Sequence, residues 1–327
     1  MAPAKGLPGV ATGMEHAEDL SQLHLEACSL TIGSLDGVHL GHQVLVRSMV
    51  ATARQAEIPA VVVTFFPHPF LVLRGRRPGF YLTSPEEKAA LLGQLGVDFV
   101  VTLPFDRPFA ALSADEFLDR MQAQLGFRDL WVGEDFALGY RRQGDVAFLA
   151  KAGEIRGYRL HVLKPILLGG AVISSTRVRK ALRAGDVVGA ASLLGRPYAL
   201  PGTVVTGSGR GRSLNMPTAN LAVWEERAHP GPGVYACMAE GFGRSFKAVT
   251  NIGVRPTFEG DGRPPVVETH LLDFEGDLYG QELRLTFVDR LRDERRYAGP
   301  EALFEQIQKD IRRAREILNG REEGGSG

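Results

Sequence analysis

The chain has 327 residues, 44% of them hydrophobic, with 38 Lys+Arg against 38 Asp+Glu. That length exceeds what one typical core fills, so two domains are expected, and the charge balance excludes a whole-chain basic field for nucleic acid. The two cysteines, Cys28 and Cys237, stand far apart in apolar strand-like runs, which excludes a disulfide framework or zinc knuckle and predicts a cytoplasmic protein. The N-terminal stretch MAPAKGLPGVATG lacks the apolar core of a signal peptide, and ILLGGAVI falls far short of the roughly 20 residues that span a bilayer, so no membrane partner is expected.

Residues 1–24 predict an irregular N-terminal segment. From residue 25 to about 185, apolar strand-like runs alternate with segments of helical period. The strand candidates are CSLTIGSL, AVVVTFF, DFVVTLPF, DLWVG and LHVLKPIL; helices are expected to start near Leu40, Pro85, Ala114, Asp145 and Thr176, the third with Ser113 and Glu116 spaced as a capping box. Five βα units in succession predict a Rossmann-like α/β domain with a parallel sheet.

Ligands of such sheets bind where strands end and helices begin, and GSLDGVHLGH, residues 33–42, straddles the first such junction. Gly33, Gly37 and Gly41 permit tight turns and close approach of an anion, and the first helical amides point toward it. His39 and His42, three residues apart, share a helix face, which suits a metal site, a phosphate clamp or packing. No partner pair of ligands at useful spacing supports a metal. At the domain's far end ISSTRVRKAL places Ser174, Ser175 and Thr176 before Arg177 and Arg179 at another helix start, where hydroxyls, amides and a guanidinium can hold remote phosphates; an ordinary N-cap is the other reading.

Past about residue 185 the alternation stops. Residues 186–200 read as a linker, and 201–319 as a mainly β domain: GTVVTG, TANLAV, VYACMAE, SFKAVTNI, VVETHLLDF and ELRLTFVDRL, then one amphipathic helix carrying Leu303, Ile307, Ile311 and Ile317 near one face. A closed antiparallel barrel with a C-terminal helix fits this order. The tail, residues 320–327, has nothing to bury and is expected to be disordered. Within GRGRSLNMPTANL, Thr218 and Asn220 lie two apart on an extended segment, so both can offer neutral oxygens to Mg²⁺ and a phosphate. Gly207, Gly209 and Gly211 let backbone amides fold round phosphates or simply make a hairpin turn. No Walker-type loop is present.

GSLDGVHLGHQ and ISSTRVR together resemble the HxGH nucleotidyltransferase superfamily. With FFPHP, VGEDFALG, LLGRPY and the PTAN segment they resemble, over nearly all of residues 25–318, the prokaryotic bifunctional riboflavin kinase/FAD synthetase family. The resemblance implies an FAD synthetase (FMN adenylyltransferase) domain first and a riboflavin kinase domain second, with ATP as co-substrate of both, Mg²⁺ as cofactor, and riboflavin and FMN as the other partners. His39 and His42 then serve adenylyl transfer, with Gly33, Asp36, Gly41, Ser174, Ser175, Thr176 and Arg177 on ATP phosphates and Asp135 on the flavin. Glu268, in the VETHLL-like strand, becomes the kinase base, with Gly207, Gly209, Gly211, Thr218 and Asn220 on phosphate and metal and Arg292 on the ligand. His270 shares the face of Glu268 by the two-residue period.

Three stretches depart from the family's usual wording in the first domain: Ser34 and Leu35 replace Asn and Phe, Phe66 replaces an acid, and Ala137-Leu138 replace Arg-Phe. In the kinase half Asn215-Met216 replaces Gly-Phe. Two other functions remain open on the sequence: a monofunctional riboflavin kinase with a re-purposed first domain, and a non-enzymatic flavin or nucleotide sensor.

Overall fold

The computed structural model describes residues 13–206, 218–253, 266–295 and 297–324. Contacts divide the chain into two compact units. The first comprises the residues up to 77 together with 81–175; the second comprises 78–80 together with 176 onward.

The first unit opens with β1 (Glu15–Ala17), β2 (Cys28–Ile32), α1 (Leu40–Gln55), β3 (Ala60–Phe66) and α2 (Pro69–Arg74). It continues through α3 (Pro85–Gly93), β4 (Phe99–Pro104), α4 (Arg107–Ala110), α5 (Ala114–Leu125) and β5 (Phe127–Gly133). The hairpin β6 (Ala137–Leu138) and β7 (Gly144–Asp145) precedes α6 (Val146–Arg156) and β8 (Arg159–Leu163), the hairpin β9 (Leu167–Leu168) and β10 (Ala171–Val172) follows, and α7 (Ser175–Arg183) carries the chain into the second unit. Six strands pair in parallel in the order β1-β4-β3-β2-β5-β8. The pleat sends alternate residues of β3 to opposite cores. Val61 and Val63 join Phe117, Leu118 and Met121 of α5, whereas Ala60 and Val62 join Val46 and Met49 of α1 and Leu92 of α3. Burial on both faces explains the continuous apolar runs that mark these strands.

Helices α1, α3, α5 and α6 begin where the sequence supplies a capping side chain. Ser113 and Glu116 form the expected capping box at α5, and Ser84 and Glu87 form another at α3. One strand lies in the segment read as irregular: β1 extends the sheet beside β4, and its three residues are too few to show a period.

In the second unit α8 (Val187–Leu194) occupies the stretch read as linker; Asp186 caps it and Val187, Ala190, Leu193 and Leu194 are buried. Then β11 (Ala199–Val205), β12 (Ala219–Ala222), β13 (Gly233–Gly241), β14 (Arg244–Gly253), β15 (Val266–Leu271) and β16 (Glu282–Arg292) close a barrel in the order β11-β12-β15-β14-β13-β16. Its interior takes Tyr235, Cys237, Ala248, Thr250, Thr269, Leu285 and Phe287, all buried. Outside, Val234, Ala236, Val249 and Val288 pack on Ala314 and Leu318 of α9 (Pro300–Gly324). The helix continues to Gly324, beyond the expected start of the disordered tail at 320; residues 325–327 lie outside the described residues. Cys28 in β2 and Cys237 in β13 are free, and burial pushes each thiol up to about 12.

Candidate functional sites

In the first sheet the strand order reverses beside β2, because β3 follows on one side and β5 on the other. The turn of residues 33–39 leaves the carboxyl end of β2 at this switch point, where open α/β sheets bind ligands.

Nearly every polar group of that turn is fixed from within. The Gly33 amide donates to Val63 O at 3.0 Å. The Ser34 carbonyl accepts from Thr64 Oγ1 at 3.1 Å and from Lys88 Nζ at 3.0 Å. The Gly37 amide donates to Thr83 Oγ1 at 3.2 Å, and Ser175 Oγ donates to Asp36 O at 2.8 Å. Leu35 and Val38 take φ of 44° and 42° although neither is glycine, and both are buried. A β-branched residue in the left-handed region is strained by about 1–3 kcal/mol, which the surrounding bonds must offset.

Asp36 is held within the protein. Expected on ATP phosphate, its carboxylate is 3% exposed and accepts the Leu82 amide at 3.0 and 3.1 Å, the Thr83 amide at 3.2 Å and the Thr83 hydroxyl at 3.3 Å. A carboxylate repels phosphate, and this one anchors the turn to the start of α3. The short spacing within GSLDG gives no sign of that partner, which lies 46 residues on.

His39 caps α1: its Nδ1 accepts the His42 amide at 3.4 Å, so the neutral ring carries its proton on Nε2. The two rings stack, centroids 3.6 Å apart at 18°. A Cβ on Gly41 would stand 3.2 Å from the His39 ring, so the glycine makes room for it. His42 Nδ1 is buried without a hydrogen-bond partner among the described residues. Burial, then the neighbouring His39 and Lys88, holds His42 well below the ordinary histidine range, so it is neutral at pH 7.

Ser174 directly precedes α7, which starts at Ser175, and Thr176 and Arg177 occupy its first turn. Arg179, the second arginine of the motif, is structural: in the second unit its Nε donates to Phe80 O at 2.6 Å and its guanidinium lies 4.0 Å over the Phe80 ring. Asp135 is exposed, and its carbonyl accepts from Arg142 at 2.7 Å. Of the departing residues, Ser34 contributes a main-chain carbonyl that any residue supplies, Leu35 packs in the core of α1, Phe66 lies 5.5 Å from the Tyr81 ring, and Ala137 pairs with Asp145.

On the barrel one row of register partners crosses five strands. Asn220 of β12 faces Glu268 of β15, Glu268 faces Asn251 of β14, Asn251 faces Val234 of β13, and Val234 faces Arg292 of β16. Register partners project to one face about 5 Å apart. Here that face is the outer one, because Glu268 alternates with buried Val267 and Thr269. Thr218, two residues before Asn220, is exposed just ahead of β12, and His270 shares the face of Glu268. Asn251 has no motif to mark it in the sequence and emerges only from the strand pairing. Gly207, Gly209, Gly211 and the Asn215-Met216 pair lie outside the described residues.

Arg292 ends the row in an ion pair. Expected on the flavin, its guanidinium is bound to Asp310 of α9 by Nε at 3.0 Å to both carboxylate oxygens and by Nη2 at 2.8 Å, while Gln306 also donates to Asp310 at 2.8 Å. The charged run around Arg292 reads as a strand end; its partner, on a helix 18 residues later, is fixed only by the fold.

The first unit is thus a parallel α/β sheet with paired histidines at its switch point, and the second a closed barrel with an Asn-Glu row on its surface. The FAD synthetase family model matches residues 21–177, and the riboflavin kinase family model matches residues 194–318. The chain is 39% identical over 302 residues to the bifunctional riboflavin kinase/FMN adenylyltransferase of Escherichia coli K12, covering 92% of this chain and 96% of that protein. It is 41% identical over 291 residues to the protein of the same name from Pseudomonas fluorescens, covering 89% and 93%. A crystal structure titled macrolide-efflux protein, from Streptococcus pneumoniae, superposes with a TM-score of 0.84 at 28% identity, covering 92% of this chain and 98% of that one. Among the described residues no helix is long and apolar enough to cross a membrane. The chain belongs to the bifunctional riboflavin kinase/FMN adenylyltransferase family, with its FAD synthetase part first and its riboflavin kinase part second.

Proposed function

We propose that the barrel row phosphorylates riboflavin with ATP and that the β2–α1 turn adenylylates the resulting FMN, the two reactions of the family. For the first step the carrying observation is Glu268 on an outer face, between two neutral carboxamides. It takes the proton of the flavin's terminal hydroxyl as that oxygen attacks the γ-phosphorus of ATP. Phosphoryl transfer asks little more of the protein than placement and charge neutralisation.

Among the described residues no three His, Cys, Asp or Glu side chains cluster as a metal cage. The donors near Glu268 are hard oxygens, from Thr218 and Asn220, and such a sparse set suits Mg²⁺ taken up with ATP phosphates. Thr218 and Asn220 would hold the ion, which supplies charge neutralisation on the phosphates when bound.

For the second step the carrying observation is the stacked His39–His42 pair, with one ring nitrogen buried and unpartnered in a turn whose other groups are engaged. FMN phosphate is already ionised and attacks the α-phosphorus of ATP, releasing pyrophosphate, so no strong base is required. His39 donates from Nε2 to the charged transition state and neutral His42 supports it, with the amide of Gly41 nearby. Ser174, Ser175, Thr176 and Arg177 serve the departing pyrophosphate, and Asp135 the flavin. Purified protein supplied with riboflavin, ATP and Mg²⁺ should yield FMN and then FAD on chromatography; FMN that never proceeds to FAD, even when added as substrate, refutes the second assignment.

A further inference from the structure

Lys88 lies on the apolar face of α3, among Pro85, Ala89 and Leu92, and is 6% exposed. It makes no ion pair among the described residues. Its ammonium donates to two neutral oxygens, the Ser34 carbonyl at 3.0 Å and the Thr64 hydroxyl at 2.7 Å, while Thr64 Oγ1 itself donates to Ser34 O at 3.1 Å. The three groups close a ring that ties the end of β3 to the first residue after Gly33. An aliphatic side chain would fill the same space without the large cost of burying a charge. A buried cation bonded to the turn to which ATP and FMN are assigned above would offset that cost, because their phosphates would bring several negative charges close to it in a low-dielectric setting.

We propose that Lys88 is a positioning residue for adenylyl transfer: its ammonium fixes the backbone of the turn that carries His39 and sets a positive charge beneath the bound phosphates. This rests on the assignment of FAD formation to the first unit. Charged or titratable groups that bear on it are Asp36 in the turn, Glu86 on α3, His42 on α1 and His16 on β1. Burial pushes Lys88 down to about 8, against the opposing pull first of Asp36 and then of Glu86. Neutral amine can keep both hydrogen bonds, so raising the pH removes the charge and leaves the geometry. That separates an electrostatic role from a merely structural one.

The test uses the full chain and both of its reactions, FMN to FAD and riboflavin to FMN, from neutral to mildly alkaline pH. In the wild type, FAD formation should fall by about tenfold per pH unit above the Lys88 value, while riboflavin phosphorylation lacks that limb. Lys88→Arg, charged at every pH used, should move the limb upward. Lys88→Met should lower kcat for FAD formation by at least about tenfold at neutral pH with the kinase rate unchanged. A wild-type profile without the limb, or Lys88→Met forming FAD at the wild-type rate, overturns the proposal. The wild-type profile decides it even if neither variant folds. Wild-type protein that forms FMN but no FAD at any pH would instead overturn the assignment of the unit, and the proposal with it.

Discussion

Glu268 stands directly opposite Asn220 across the β12–β15 ladder. Because both face outward from a closed barrel, the carboxylate and the amide are held at one level by backbone hydrogen bonds rather than by a mobile loop. Removing the charge while keeping the shape is therefore informative. Glu268→Gln should lower riboflavin phosphorylation by about 10²–10⁴-fold, with FAD formation from added FMN preserved. Riboflavin-dependent ATP turnover that survives the change would remove Glu268 from the chemistry.

His39 caps α1, and we assign it a second job in adenylyl transfer; two substitutions separate them. His39→Ala should cost about 1 kcal/mol of stability and reduce FAD formation by about 10²–10³-fold. His39→Asn can still accept an amide at the cap, so its melting temperature should stay near the wild type while FAD formation remains low. Kinase assays on both variants serve as the internal control; loss of FMN formation as well would show that the two reactions are not independent.

Asp36→Ala should act through the turn. It strips the acceptor from the buried amides of Leu82 and Thr83, at about 1–3 kcal/mol for each unsatisfied group. The expected result is a lower unfolding midpoint and weaker FAD formation, with Asp36→Asn intermediate because its carboxamide oxygen still accepts. A variant of wild-type stability that has lost only ATP affinity would return Asp36 to the phosphate site.

The Arg292–Asp310 pair is buried, with side chains 12% and 5% exposed. Removing one partner leaves an uncompensated charge, so Arg292→Met should destabilise by about 3–5 kcal/mol, and the double variant Arg292→Met, Asp310→Leu should recover much of that. Chemical denaturation reads both. A double variant that is stable yet shows a greatly raised KM for riboflavin would make Arg292 a flavin ligand after all.

Acid should weaken the first unit through His42. Its folded value lies well below 6.5, so the unfolded chain binds more protons between the two values, and stability falls as pH drops below about 6.5. His42→Gln cannot take up that proton, so its acid loss should be shallower in thermal melts over the same range. Parallel curves would contradict a buried, neutral His42.

Periodicity and punctuation carry most of the architecture. AVVVTFF reads as a doubly covered strand because every residue of Ala60–Val63 is buried, and Ser113 with Glu116 announces α5 because a capping box is local chemistry. The same locality placed His39 and His42 at a helix start and made Glu268 alternate with buried neighbours. Lys88 was visible in principle as a charge on an apolar helix face, although nothing nearby says what it meets.

The sequence by itself determined the strand and helix types and the change from an alternating to a mainly β half, since each follows from spacings of a few residues, whereas the roles of His39, His42, Asn220 and Glu268 came from the family resemblance. Only the tertiary structure decided which distant partner each charged group meets. Asp36 meets the amides of Leu82 and Thr83, Arg292 meets Asp310, and Asn251 stands beside Glu268 because strand pairing fixes their register. A buried charge takes its role from its nearest partner, and that partner is set by long-range packing which no local pattern encodes.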